Sequence, residues 1–428
     1  MIQWNEIKLK ELCERVTVGH VGPMAGDYQD AGIPFLRSLN IRPFHFDLID
    51  VKFISDAFHH KLRKSALRPG DVVVVRTGYP GTAAVVPKTL PISNCSDLVI
   101  VRPSKNLNPH FITAVFNSSF GQTLVSGNTV GAAQQHFNIT VAKELRFRIP
   151  PKPVQDKIAA ILSAYDELIE NNKRRVSLLE KLAEEIYSEW FVRLRFPGYE
   201  KARKIKGIPA GWGIKKLGEL ARTQYGYTAS ADMEEQGPKF LRITDIVPAA
   251  IDWELVPRCK IEERDEEKYL LYEGDIVVAR TGATVGYAKR INKYHPKAVF
   301  ASYLVRLIPK RKSDAIFLGL SVERCAFKDF ISMFVTGAAQ PQANATTMAL
   351  FPLLYPPESV LDGFNRIAEP ILDQKEILLN QAAALSQARD FILPRLISGK
   401  LSVENLDIQF PPGMAEELKA EPEAAAHA

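Results

Sequence analysis

Residues 70–78 read Gly-Asp-Val-Val-Val-Val-Arg-Thr-Gly, and residues 274–282 read Gly-Asp-Ile-Val-Val-Ala-Arg-Thr-Gly. Working outward from this pair, other segments recur in the same order. Phe35-Leu36-Arg37 returns as Phe240-Leu241-Arg242, and GAAQQHFN at 131–138 returns as GAAQPQAN at 337–344. Pro150-Pro151 matches Pro356-Pro357, while Trp4, Leu9 and Leu12 match Trp212, Leu217 and Leu220. The shift is 204 residues at Gly70 and 208 at Trp4, so the chain holds two copies of one unit. That period is too long for a solenoid and suits a duplicated domain with its connector.

Within each copy, short β-branched runs entered by a glycine turn, Asp71–Val75 and Asp275–Val278, read as buried strands. A helical stretch follows in each, FITAVFNSSFGQTLV and IFLGLSVERCAFKDFI. After the Pro-Pro pair comes an amphipathic helix. In the first copy its apolar stripe is Ile158, Ile161, Leu162, Tyr165, Leu168, Ile169, Val176, Leu179, Leu182, Ile186 and Trp190. In the second it is Phe364, Ile367, Ile371, Leu378, Leu385 and Phe391, with Pro370 and Pro394 expected to start, kink or end the helix. A helix of ~33–38 residues spans roughly 50–57 Å at 1.5 Å per residue. A single stripe of that length needs a partner, and antiparallel pairing of the two helices supplies one.

The expected class is α/β (α+β): two similar globular domains separated by two long antiparallel helices, with pseudo-two-fold symmetry. The expected boundaries are 1–150 for the first domain and 151–204 for the central helix and a basic, Gly/Pro-rich linker. The second domain is 205–356, the C-terminal helix 357–412, and the Ala/Glu-rich tail 413–428 reads as disordered.

The length of 428 residues fits two or three domains, and 46% hydrophobic with 24% charged residues is ordinary globular composition. No apolar run approaches the ~18–20 residues of a membrane helix, and MIQWNEIKLKEL lacks a secretory core. Cys13, Cys95, Cys259 and Cys325 are scattered without a CxxC pair, which suggests neither zinc nor disulfides and points to the cytoplasm. Residues 1–150 carry an excess of about six positive charges and 205–356 of about four, against an acidic 357–428. Two basic regions suit two surfaces for an anionic partner.

Catalytic signatures are missing. There is no phosphate loop, dinucleotide turn, HExxH, GxSxG or PD…ExK element, and no Asn- or Asp-Pro-Pro-aromatic methyltransferase motif. Such a chain binds and orients while another protein reacts. Candidate DNA readers lie in RTGYPG, with Arg76, Thr77 and Tyr79, and in RTGATVG, with Arg280 and Thr281. An arginine at such a turn serves either a guanine edge or an intradomain ion pair, and the sequence weighs the two equally. Gln134, Gln135 and Gln340 can pair with adenine or hold their loop; the recurring Gly-Ala-Ala-Gln core favours the loop. Arg37 and Arg242 sit in the recurring FLR. Residues that differ between copies are better base readers: His20 and Arg42 in the first, Tyr225, Tyr227, Arg258 and Lys289 in the second. Lys61–Lys64 and Lys310–Lys312 suit phosphate contacts or a solvated face.

Taken in order and duplicated, WNEIKLKEL, FLRSLNI, GDIVVARTGATVG, IPPKPVQDKIAAIL, IYSEWFVRLRFPGYE and LPRLISGKL resemble the specificity subunits of type I restriction–modification systems over nearly the whole chain. The second copy departs from that pattern, having no glutamine at the place of Gln155. The resemblance implies two target recognition domains, each reading half of a split double-stranded DNA site. It implies helices that set the gap and dock two methyltransferase subunits, joined by restriction (helicase-nuclease) subunits. S-adenosylmethionine, ATP and Mg²⁺ belong to those partners, so this chain itself needs no cofactor or metal. Two rivals remain: a helical scaffold for proteins alone, and an enzyme with an unrecognised site.

Overall fold

The computed structural model describes residues 4–24, 26–128, 137–234, 236–334 and 342–411. The chain divides into two units, one drawn from Met1–Asn171 and Ala382–Ala428, the other from Asn172–Gln381.

In the first unit the all-valine strand Val72–Val75 lies inside an antiparallel sheet ordered Cys13–Val18, Leu98–Pro103, Val72–Val75, Ala83–Val85. Alternate side chains of a strand face opposite ways. Val72 and Val74 enter one core with Val99, Val101 and Phe111, while Val73 and Val75 enter another with Leu36, Leu98 and Ile100. A strand covered on both faces has no polar alternation, which is why the motif reads as a continuous apolar run. The second unit repeats the sheet as Ala221–Tyr225, Leu304–Pro309, Ile276–Ala279, Ala288–Arg290. Its cores divide likewise, Ile276 and Val278 on one side, Val277 and Ala279 on the other.

The FLR segments enter strands Ile33–Leu36 and Lys239–Leu241, paired in parallel with Ser93–Cys95 and Ala298–Phe300, the strands just before Leu98–Pro103 and Leu304–Pro309. Each unit also opens and closes on one antiparallel pair: Asn5–Lys8 with Arg146–Ile149, and Gly213–Lys216 with Pro352–Tyr355. The helical stretch of each copy is two short helices, Pro109–Asn117 and Ser119–Ser126, then Ala315–Glu323 and Cys325–Ser332. In the first copy Ser118 breaks the helix and caps the next by accepting from the Gly121 amide.

Gly226 shows why the repeat keeps a glycine where strand meets turn. A Cβ there would stand 2.2 Å from the Ala301 carbonyl oxygen, and one at the matching Gly19 would stand 2.8 Å from that of Cys95. The motif aspartates do equivalent work. Arg102 donates to both carboxylate oxygens of Asp71 at 2.7 Å, and this bond holds the guanidinium above its usual pKa. Asp275 meets Arg306 at 2.5 Å, both buried.

The long helices are Lys152–Tyr187, prolonged by a π-turn at Ser188–Val192, and Glu358–Ile397. In the first unit, Ile158 and Leu162 share a core with Leu393, Leu396 and Ile397, and Arg389 donates to Asp166 at 2.6 Å. In the second, Tyr187 and Trp190 share a core with Phe364, and Lys375 meets Glu180 at 3.0 Å. Each unit therefore joins the earlier part of one helix to the later part of the other, which is antiparallel packing.

The seam differs from the expected stripe in places. Ile158, Leu162, Ile169, Val176 and Leu378 are buried, and Tyr165, Leu179, Ile186, Ile371 and Leu385 are half-buried. Ile367 is exposed, as are Leu168, Leu182 and Phe391. Ala183 and Ala368 take the seam positions beside Leu182 and Ile367; one residue is ~100° of helical turn, so the larger neighbours point away. Phe391 lies under the Arg395 guanidinium at 4.3 Å. The second helix also runs through Pro370. Proline removes the bond to the carbonyl four residues back, here Arg366, and both residues are exposed, so water can take its place. Pro394 lies in the last turn before the helix ends at Ile397.

Replacing Arg306 by methionine should destabilise the second unit by about 3–5 kcal/mol, because Asp275 is left buried without its cation. Urea unfolding with proteolytic mapping should place the loss in that unit, and adding Asp275→Leu should recover part of it.

Candidate nucleic-acid interface

In each unit the fold brings two repeated motifs together. The Arg-Thr-Gly turn follows the central strand, with Gly78 and Gly81 at φ +91° and +93° and Gly282 and Gly286 at +75° and +84°. The Arg76 carbonyl accepts from the Phe137 amide at 3.1 Å, and the Arg280 carbonyl accepts from the Ala343 amide at 2.9 Å. One residue on, Asn138 and Asn344 cap the helices Ile139–Glu144 and Ala345–Ala349. These asparagines are therefore structural. Gln134, Gln135 and Gln340 lie outside the described residues.

The two arginines differ in their surroundings. Arg76 meets Asp97 at 3.1 Å and donates through Nε to the Phe137 carbonyl at 3.1 Å. Thr77 donates to the same carboxylate at 2.6 Å, so Asp97 holds both candidates inward. Arg280 has no carboxylate partner among the described residues. Its guanidinium lies 4.9 Å from the Tyr225 ring centre and reaches the Ser302 carbonyl only at 3.4 Å, and its Nε is buried without an acceptor. Tyr225 is itself tied down, its hydroxyl accepting from the Ala345 amide at 3.1 Å. The exposed Tyr303, whose carbonyl accepts from the Arg280 amide, and the exposed Gln342, bridged to Thr281, complete this patch. An arginine stacked on tyrosine, with free N–H groups and no internal anion, suits a phosphate or a guanine edge.

The remaining candidates scatter. Arg37 is held by Asp50 at 3.0 Å, Arg42 by Asp47 at 3.4 Å, and Arg242 by Asp245 at 2.9 and 3.0 Å. Arg258 donates to the Gly237 carbonyl. Lys289 turns inward to the Ala249 carbonyl at 2.7 Å, and burial pushes its pKa down. Tyr227 packs on Tyr269, and His20 meets Phe58 edge-on. Tyr79 stands out at 80% exposure on the first turn. Asp97 and Tyr303 escaped the sequence reading. Their signal was present: just before the shared leucine, Leu98 or Leu304, one copy has an acid and the other an aromatic ring.

Among the described residues, no group of three or more His, Cys, Asp or Glu is placed to hold a metal ion, and no helix is long and apolar enough to cross a membrane. Cys95 and Cys259 are buried, and burial pushes the Cys13 thiol up to about 12.

The two units repeat one α/β fold and one Arg-Thr-Gly turn, and each closes its core with parts of both long helices. Residues 1–181 match the type I restriction modification DNA specificity domain. Over 94% of both chains this protein is 21% identical to the type I restriction enzyme MjaIX specificity subunit of Methanocaldococcus jannaschii. It is 23% identical to the StySPI specificity subunit of Salmonella potsdam, over 92% of this chain and 89% of that one. The crystal structure of a type I restriction–modification S subunit from M. genitalium shares the fold, with a TM-score of 0.60 at 14% identity over 92% of this chain and 96% of that one. The chain is thus similar to type I restriction–modification specificity subunits, through the matching domain at residues 1–181 and through relatives that align over most of its length.

Arg76→Ala should lower the stability of the first unit by up to about 1 kcal/mol, because Asp97 is partly solvated and keeps its bond from Thr77. Arg280→Ala, which strands no carboxylate, should change stability by less than about 1 kcal/mol in the same thermal or urea experiment.

Proposed function

We propose that this chain is the DNA-recognition subunit of a type I restriction–modification complex, reading a two-part site with one unit per half and performing no catalysis itself. The observation that carries the reading is the repeated pairing of the Arg-Thr-Gly turn with the asparagine-capped segment, built twice on equivalent sheets. Side chains at these turns reach base edges or phosphates, while the sheets beneath hold them in register. Arg280 is the strongest single candidate, and Tyr79 and Tyr225 flank the two turns. Lys289 and Arg242 are better read as structural.

The long helices act as a ruler. Half-sites read from one face of B-DNA lie about one turn apart, ~34–36 Å, and stiff helices fix such a spacing without touching the bases between. Their exposed residues dock two methyltransferase subunits, to which restriction subunits join in the cytoplasm. S-adenosylmethionine, ATP and Mg²⁺ act in those partners, which also take the adenine out of the duplex stack. A protein scaffold that ignores DNA is disfavoured by the unneutralised Arg280 at the rim of a repeated glycine turn.

Three experiments test the scheme. Exchanging residues 1–150 for another recognition domain should change one half of the methylated site in methylome sequencing; a change in both halves contradicts modularity. Inserting seven residues in each helix keeps the heptad seam and adds ~10 Å, and should lengthen the unread gap. An unchanged gap contradicts the ruler. Arg280→Ala should weaken binding of a target duplex by about 1–3 kcal/mol in a titration of the methyltransferase complex.

A further inference from the structure

The segment after the first long helix, which the sequence presents as a linker, is an ordered basic hairpin. Lys204–Ile205 pairs with Ile208–Pro209 in antiparallel register, and the Ala210 amide donates to the Arg203 carbonyl at 2.7 Å. The two loop residues, Lys206 and Gly207, stand at φ +50° and +82°, the left-handed pair that a type I′ hairpin turn needs. Its base is anchored within the second unit. Pro209 is buried, Tyr199 and Ala202 pack against the main core, and the Phe196 and Trp212 rings lie 5.2 Å apart.

The hairpin and its approach carry Lys201, Arg203, Lys204 and Lys206, all exposed and none in an ion pair among the described residues. Arg193 and Arg195, by contrast, are engaged by Glu185 and Glu189, and along the sequence Glu200 is the one acid between Arg193 and Trp212. Four clustered like charges repel one another, and lysine is a poor choice at a left-handed position that asparagine fills more readily. Neither feature helps the fold. Ending a long helix does not call for them either. After the second helix, the chain turns at Gly399 and docks through buried Val403, with Lys157 donating to the Glu404 and Leu406 carbonyls. That segment holds Lys400, Glu404 and Asp407 and is not basic.

We infer that the Lys201–Lys206 hairpin is a sequence-independent contact for the phosphate backbone of duplex DNA, formed in addition to the two recognition turns. Long, mobile lysines and an arginine without internal anions are suited to phosphates, which need charge and no fixed geometry. The inference rests on the DNA-reading function proposed above, which supplies the polyanion.

The test uses the full chain and a fluorescein-labelled 40-base-pair duplex of random sequence, with binding followed by anisotropy across a KCl series. Each lost phosphate contact lowers the slope of log affinity against log salt by ~0.9. The variant Lys201→Gln/Arg203→Gln/Lys204→Gln/Lys206→Gln should flatten that slope by about 2–4 and weaken binding equally on unrelated sequences. The single change Lys206→Asn should leave Tm unchanged or raise it while affinity falls, separating the contact from folding. An unchanged slope in the quadruple variant, with a steep wild-type slope, overturns the hairpin inference and leaves the DNA reading standing. Absence of salt-dependent binding by the wild-type chain removes both. Loss of binding to immobilised polyglutamate with duplex binding intact would assign the hairpin to an acidic protein surface and overturn it equally.

Discussion

Neither unit closes its core without chain from far away in sequence. The first unit's sheet and its short helices leave an apolar face that Ile158 and Leu162 cover only together with Leu393, Leu396 and Ile397. The second depends in the same way on Tyr187 and Trp190 meeting Leu361 and Phe364. Both long helices must therefore be present for either unit to be complete. The charged pairs Asp166–Arg389 and Glu180–Lys375 sit on this packing and select the antiparallel direction.

The Arg-Thr-Gly turn inherits its rigidity from the strand beneath it. A run such as Val72–Val75, buried on both faces and tied at its start by the Asp71–Arg102 ion pair, has little freedom to shift. The Arg-Thr-Gly turn leaving that strand is then further held by an amide within the second repeated motif, that of Phe137. Duplication keeps this frame and lets its rim diverge. Asp97 neutralises the first arginine, whereas the second meets an aromatic surface. Such divergence is what the proposed reading of two different half-sites requires, since a shared scaffold with identical rims would read the same sequence twice.

Much of this architecture was legible in the amino-acid order, because duplication turns weak motifs into strong evidence and because a valine run bounded by a glycine has few other uses. The helix stripe was legible as a period, yet its phase was misjudged at Ile367 and Leu182. Alanine is the smaller residue and therefore the weaker signal, but Ala368 and Ala183 occupy the seam. The candidate site was far less legible. Whether an arginine is free depends on acids distant in sequence: Asp97 for Arg76, Asp50 for Arg37. Lys289 looked like a divergent surface cation, and it points inward because the Ala249 carbonyl lies within reach. The hairpin at Lys204–Pro209 hid inside a stretch whose glycines and prolines suggested only a connector.

The central claim is that two separately folded turns read two separate pieces of DNA. Selection of binding sites from a randomised duplex pool, by the chain assembled with its methyltransferase subunits, addresses it most directly. Sequencing of the retained pool should yield two short motifs separated by a gap of constant length with no base preference. One uninterrupted motif, or enrichment without any motif, would contradict the account.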